Sequence, residues 1–413
     1  MRSTGARILI LGILTAMGSP SKAVVAPAAQ ALPRATIPNL VAYWDFEGTA
    51  NDISGNGHNG TLQSGATITN AQFAPFPGST RSVNLTQANA QSYVSVPSNA
   101  ALNLTGPFTL AAWIRPTNPA VTNQQGIIER FGGGGGYILR LSANGVTTAN
   151  PSGLEDLNNT VFAGGTTTYA IGTFGGQISR RIEANVWNHV AFTFDGTTLR
   201  NYEEAGNEFS PPQEDPTFLP NASNPGAVQP PAPTTAELRI GRDYGANGFE
   251  GQIDEARIYN KGLTMGELNV LMNGQPPPTG LTATSGPGLI DLSWTAPAPV
   301  AGVTVTYAVK RSPPGANTWT ILAEGLTGTT YQDSGYVAVT TWDYAVTAVS
   351  VVESVPTAVV QGVTLSLVPR TNDHQEGLFE DKCACGSSIP GGLPGGLALA
   401  LASLGLLLLA RRS

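Results

Sequence analysis

The sequence predicts an all-β protein: two antiparallel sandwiches in series, enclosed by an export signal and an apolar C-terminal tail. Three observations carry this. The chain has 413 residues, more than one ordinary domain holds. Only 12% of its residues are charged, while 49 Gly and 31 Pro supply turns. Short segments alternate apolar and polar residues between clusters of Gly, Asn, Asp and Pro, which is the pattern of half-buried antiparallel strands.

Composition also excludes. The formal charge is −7, from 21 basic and 28 acidic side chains, and no basic run precedes the last residues. A nucleic-acid binder needs a basic stripe, so no nucleic-acid partner is expected. Three His leave little for zinc or imidazole chemistry. The two Cys stand together near the C-terminus, so the globular part has no disulfide framework.

The N-terminus reads as a secretory signal peptide over residues 1–23. Arg2 and Arg7 precede an apolar run from Ile8 to Met17, and Ser21-Lys22-Ala23 sets small residues at −3 and −1 of a cleavage site after Ala23.

The first globular region spans residues 38–273. Tyr137, Leu139 and Leu141 share one strand face, as do Val190, Phe192 and Phe194. Phe108–Ile114 is apolar on both faces, as a central strand covered on both sides would be. Only Thr264–Met272 reads as helix.

Several motifs here resemble laminin-G-like, concanavalin A-type jelly rolls. They are Leu40-Val41-Ala42-Tyr43-Trp44-Asp45-Phe46-Glu47 with Asp52-Ile53-Ser54-Gly55, then Phe108-Thr109-Leu110-Ala111-Ala112-Trp113-Ile114. Trp187-Asn188-His189-Val190-Ala191 and Leu238-Arg239-Ile240-Gly241 follow, and Phe249-Glu250-Gly251-Gln252-Ile253-Asp254-Glu255-Ala256-Arg257-Ile258-Tyr259 closes the set. Two departures stand out: Asn201-Tyr202-Glu203-Glu204-Ala205-Gly206, where the family has an apolar strand and turn, and a Pro-rich insertion over about 208–235.

Glycoside hydrolysis needs two carboxylates flanking the bond. No strand presents such a cluster, and Glu203, Glu204 and Glu208 read as a solvated acidic loop. His189 reads as a structural histidine, and no nucleophile elbow is present. A non-enzymatic protein is therefore expected. Asp254 shares its strand face with Ala256 and Ile258, so it points toward a core and needs partners. One solution is Ca²⁺, with Asp52 as a second ligand, and calcium sites recur in the family it resembles. The other is a carboxylate capped by backbone N–H groups. Asp45, between Trp44 and Phe46, faces outward.

Gln275-Pro276-Pro277-Pro278 reads as a stiff linker to a second region, residues 279–368. Ile290, Leu292 and Trp294 alternate there, as do Val303, Val305, Tyr307 and Val309, and Trp342, Tyr344, Val346 and Ala348. The spacing suits an immunoglobulin-like sandwich without Cys. Leu292-Ser293-Trp294 and Trp342-Asp343-Tyr344-Ala345-Val346 resemble a fibronectin type III module, with Trp342 at the usual corner-tyrosine position. A spacer role is expected of it.

Residues 369–392 form an acidic, Gly-rich stalk with Cys383 and Cys385, and residues 393–413 a transmembrane tail ending in Arg411-Arg412. The run from Leu393 to Ala410 spans about 27 Å as a helix, enough for the hydrocarbon layer. The order Cys pair, Gly-rich spacer, apolar helix, arginines resembles myxobacterial-type C-terminal sorting tails. The resemblance implies a sorting protease acting at Cys383 or Cys385. A plain membrane anchor or a GPI signal are the alternatives.

The expected function is that of an exported, membrane-anchored cell-surface adhesion protein. Its jelly roll would recognise a carbohydrate or surface glycoprotein. The alternatives are a divergent polysaccharide-active enzyme and a passive structural envelope protein.

Overall fold

The computed structural model describes residues 34–87, 92–117, 124–141, 157–165, 167–172, 182–205, 213–214, 228–245 and 247–365. Ala23, Cys383, Cys385 and the tail over 393–413 lie outside the described residues. Among the described residues no helix is long and apolar enough to cross a membrane.

The first sandwich begins with β1 (Leu40–Trp44), β2 (Thr61–Gln63), β3 (Thr67–Thr69), β4 (Ser82–Leu85) and β5 (Tyr93–Val96). It continues with β6 (Phe108–Pro116), β7 (Gln125–Gly132), β8 (Gly135–Leu141), β9 (Asn158–Gly164) and β10 (Thr167–Gly172). It closes with β11 (Asn188–Phe194), β12 (Leu199–Ala205), β13 (Gln213–Glu214), β14 (Leu238–Ile240) and β15 (Gly251–Tyr259). One sheet runs β13-β12-β11-β6-β15-β4-β3, with β1 also on β15, and the other runs β10-β9-β8-β7-β14-β5-β2. All pairs are antiparallel, and strands distant in sequence are neighbours, the wiring of a jelly roll.

Alternation explains the core. Phe108, Leu110, Ala112 and Ile114 meet Val190, Phe192 and Phe194 between the sheets, with the Phe108 and Phe192 rings edge to face at 5.4 Å. The other face of β6 is covered too. Ala111 packs with Leu268 and Leu271, and Trp113 with Met272, all from helix α1 (Met265–Asn273). A capping box starts α1: Thr264 Oγ1 accepts from Glu267 N, and Glu267 accepts from Thr264 N.

Strand β15 changes partner midway, from β4 at Gly251–Ile253 to β1 at Ala256–Tyr259. A bulge lies between, with Glu255 at φ +53°. It puts Ile253, Ala256 and Ile258 in the inter-sheet core and turns Asp254, Glu255 and Arg257 to the outer face. Asp254 therefore does not share a face with Ala256 and Ile258, as unbroken two-residue alternation predicts. Glu203 and Glu204 also depart from expectation. They belong to β12, opposite Val190 and His189, and both are buried. Glu203 accepts from Leu157 N at 3.0 Å.

The second sandwich has β16 (Thr279–Gly286), β17 (Leu289–Thr295), β18 (Thr306–Ser312), β19 (Thr320–Leu326), β20 (Thr330–Ser334), β21 (Thr341–Val349) and β22 (Val360–Val363). Its sheets run β16-β17-β20 and β19-β18-β21-β22 around Ile290, Leu292, Trp294, Val309, Tyr344 and Val346. Trp342 makes no hydrogen bond through Nε1 to any described residue, and the neighbouring Tyr344 instead donates to Asp333 at 2.6 Å.

The two sandwiches share packing. Val351 and Val352 join Tyr259, Leu263 and Leu268 in one apolar cluster, and Ser350 donates to Gln275 at 2.7 Å. Ala35 N donates to Glu353 at 2.8 Å, and Thr36 donates to Glu324 through N and Oγ1, both at 2.9 Å.

Candidate functional site

The two carboxylates expected to bind calcium are occupied by protein donors. Asp254 accepts from Ala74 N, Ser79 Oγ and Glu255 N, at 2.9, 2.7 and 2.8 Å. Asp52 accepts from Tyr43 N, Ser54 N and His58 N, at 3.0, 2.9 and 2.8 Å. A hard cation needs oxygens whose lone pairs are free. N–H and O–H groups aimed at both carboxylates present the opposite polarity, so the donor set does not fit Ca²⁺. Among the described residues no three His, Cys, Asp or Glu side chains gather as a metal would need. Burial, together with the nearby charge of Glu255, holds Asp254 well above the usual carboxylate range.

His189 is fully buried with its ring edge toward Trp113 at 5.3 Å. Burial, and then the charge of Arg257, pushes its pKa down to about 3, so the ring is neutral.

The other sheet carries a different constellation on the face turned away from the core. Strand β7 places Ile128 inward and Glu129 and Phe131 outward. Gly136 of β8 stands between Phe131 and Phe162 of β9 in register. Gly136 has φ +121°, and a Cβ there would lie 1.8 Å from the Arg130 carbonyl oxygen. With no side chain between them, the two rings meet at 4.1 Å. Tyr244, from the turn after β14, completes the group at 4.5 Å from Phe131 and 6.1 Å from Phe162. Its side chain is 49% exposed.

Asp243 pins that turn by accepting from Asn247 N and Nδ2, both at 2.9 Å. Arg140 lies 3.6 Å from the same carboxylate. A side chain at Gly126 would strike Asp243 N at 2.3 Å, so the turn lies directly on β7.

Glu129 is 2% exposed, and its Oε2 has no hydrogen-bond partner among the described residues. Burial pushes its carboxyl up to about 8, against the pull of Arg239, so at neutral pH it is mostly protonated and able to donate. Arg239 is engaged with Glu237 at 2.8 Å, and Arg239 and Arg242 sit over the Tyr93 ring at 6.0 and 5.2 Å. The face thus offers one exposed ring, Tyr244, seated on the half-buried Phe131 and the buried Phe162, close to a buried neutral acid.

The expected residues and this face do not coincide. Asp254 and Asp52 hold loops, whereas Glu129, Phe131, Phe162 and Tyr244 were not singled out from the sequence. One signal was present: Ile128-Glu129-Arg130-Phe131 precedes five consecutive glycines, Gly132 to Gly136, and sets a carboxylate and a ring on the same strand face.

Comparison with known proteins adds the following. A laminin G-type family described as the concanavalin A-like lectin/glucanases superfamily matches residues 88–211. No curated protein sequence matches the chain. Among solved structures, domain 4 of AbnA, a GH43 extracellular arabinanase from Geobacillus stearothermophilus in complex with arabinotriose, is 20% identical, with TM-score 0.38. The alignment covers 57% of this chain and 98% of that one. An Fn3-like protein from Clostridium thermocellum is 30% identical over 22% of this chain and 92% of its own, with TM-score 0.18. The binding domain of botulinum neurotoxin DC in complex with SialylT is 13% identical over 75% and 71%, with TM-score 0.37.

Proposed function

We propose that the first sandwich is a carbohydrate-binding domain and that the Phe131–Phe162–Tyr244 face is its binding surface. The carrying observation is the exposed Tyr244 ring, seated on Phe131 and Phe162 close to Glu129, whose Oε2 has no partner among the described residues. A sugar ring has an apolar C–H face that stacks on aromatic rings, and hydroxyls that donate to and accept from a neutral carboxyl. The match of residues 88–211 to a lectin and glucanase superfamily supports the same class.

Binding is favoured over cleavage by the state of the second carboxylate. Asp243 lies near Glu129, but its oxygens are taken by Asn247 and approached by Arg140. Hydrolysis of a glycoside needs a second carboxylate free to act as base or nucleophile. Around this core we read an exported surface protein with the second sandwich as a fibronectin type III-like support. Its three-plus-four strand order is the support for that reading. Residues 393–413 are its membrane tail and Cys383 or Cys385 the point of processing.

A glycan array probed with the full chain and with Tyr244→Ala tests the proposal. Neutral glycans bound by the parent and lost from the variant are the expected result. An array on which the parent binds nothing overturns it.

A further inference from the structure

A cavity of about 420 Å³ opens where the two sandwiches meet. Its volume lies in the range typical of small-molecule sites. The floor is Tyr43, Glu255 and Arg257, on the outer face of β1 and β15. The bulge that gives Glu255 its left-handed φ of +53° is what brings Glu255 and Arg257 to the same side. A bulky non-glycine residue in that conformation is costly, and such residues concentrate at functional sites.

The Arg257 guanidinium lies between two rings, 4.1 Å from Tyr43 and 4.6 Å from Phe76. Its Nη2 donates to Tyr43 Oη and to Glu255, and Tyr43 Oη donates to Glu255 at 2.5 Å. The Arg257 side chain is 1% exposed, and its Nε has no hydrogen-bond partner among the described residues.

Asp45, also in the lining, accepts one hydrogen bond among the described residues, from Glu47 N at 3.2 Å, with Arg34 at 3.7 Å. Burial raises its pKa. Pro77, Pro276, Pro277 and Pro356 give apolar walls, and Val355 stands at the mouth.

Charge decides the ligand class. Arg257 faces Glu255, Arg34 faces Asp45, and Lys310 faces Glu353. Glu47 is held by Thr80 N, Thr80 Oγ1 and Arg81 N. A charged ligand would gain against one member of each pair and lose against the other. A neutral ligand whose hydroxyls both donate and accept gains from both, and its C–H surface suits the proline walls.

We propose that this cavity is a second binding site, for a neutral polyhydroxyl ligand of monosaccharide size. A ligand hydroxyl donates to Asp45, whose side chain is 16% exposed in the cavity wall. The site is separate from the aromatic face and does not depend on that face being functional.

The test is calorimetric titration of the full chain with a panel of neutral methyl glycosides, alongside glucuronate and glucosamine as charged probes. The variants are Asp45→Asn, Val355→Trp and Tyr244→Ala. Val355 is 49% exposed, so a tryptophan there fills the mouth without entering a core. At least one neutral glycoside should still bind the Tyr244→Ala protein, in which the aromatic face is removed, and adding Asp45→Asn or Val355→Trp to it should each weaken that binding about tenfold or more. Three results overturn the proposal: no neutral glycoside bound at about 50 mM, binding that both cavity variants leave intact, or preference for a charged probe. A glycan array that fails while this titration succeeds removes the aromatic-face reading and leaves the cavity site standing.

Discussion

The hydroxyl of Tyr259, on the last strand of the first sandwich, donates to the carbonyl of Val351 in the second at 2.5 Å. Both residues are buried in one shared apolar cluster. The expected spacer is therefore packed against its neighbour, and Gln275-Pro276-Pro277 forms part of the seam. Tyr259→Phe removes the donor and leaves a buried carbonyl unsatisfied, which should cost about 1–3 kcal/mol. Urea unfolding should show both sandwiches melting in one transition. Two separated transitions would contradict the shared packing.

Much of the fold was legible because alternation is a local property. Phe108, Leu110, Ala112 and Ile114 turn inward as their spacing predicts, and Ala111 and Trp113 are covered as an all-apolar strand requires. What was not legible depends on non-local pairing. The bulge at Asp254 and Glu255 shifts a two-residue period by one and reverses the side on which Asp254 lies. Glu203 and Glu204 looked like a loop by composition, but Glu203 is held by a backbone N–H 46 positions away in sequence. The ring contact between Phe131 and Phe162 exists because Gly136 happens to stand between them in register.

Glu129 sets an alkaline limb on stability. Its carboxyl is raised from 4.5 to about 8 by burial, so the folded chain holds this proton more tightly than the unfolded chain. That contribution is complete below about pH 4.5 and is lost as pH rises through about 8. Arg239, Arg140 and Arg242 oppose the shift and Asp243 adds to it. Glu129→Gln, which stays neutral, should be more stable than the parent at about pH 9 by at least about 1 kcal/mol. Equal pH profiles by denaturant titration would refute the assignment.

His189 acts on the acid side. Its pKa is lowered from 6.5 to about 3, so its contribution is present above about 6.5 and is lost as pH falls through about 3. His189→Gln should lose less stability than the parent between about pH 6 and pH 4, read from melting temperatures across that window. An unchanged acid limb would show that the ring is not buried as a neutral species.

Asp254 and Asp52 lead to an expectation about metal. Their oxygens are filled by protein N–H and O–H donors, so calcium and a chelator should give the same melting temperature. Asp254→Asn should still destabilise, because with the amide oxygen kept toward Ala74 and Ser79 its NH₂ would face the N–H of Glu255. A rise in melting temperature on adding calcium would reopen the metal reading.

The central claim is that sugar is held on the rings of Phe131, Phe162 and Tyr244 beside Glu129. The most direct measurement is the affinity of the full chain and of Tyr244→Ala for the strongest neutral array ligand, by calorimetry. Tyr244 is half exposed, so its loss should leave the melting temperature nearly unchanged. The account predicts binding weakened about tenfold or more, the worth of one lost ring contact. Equal affinity in the two proteins would contradict it.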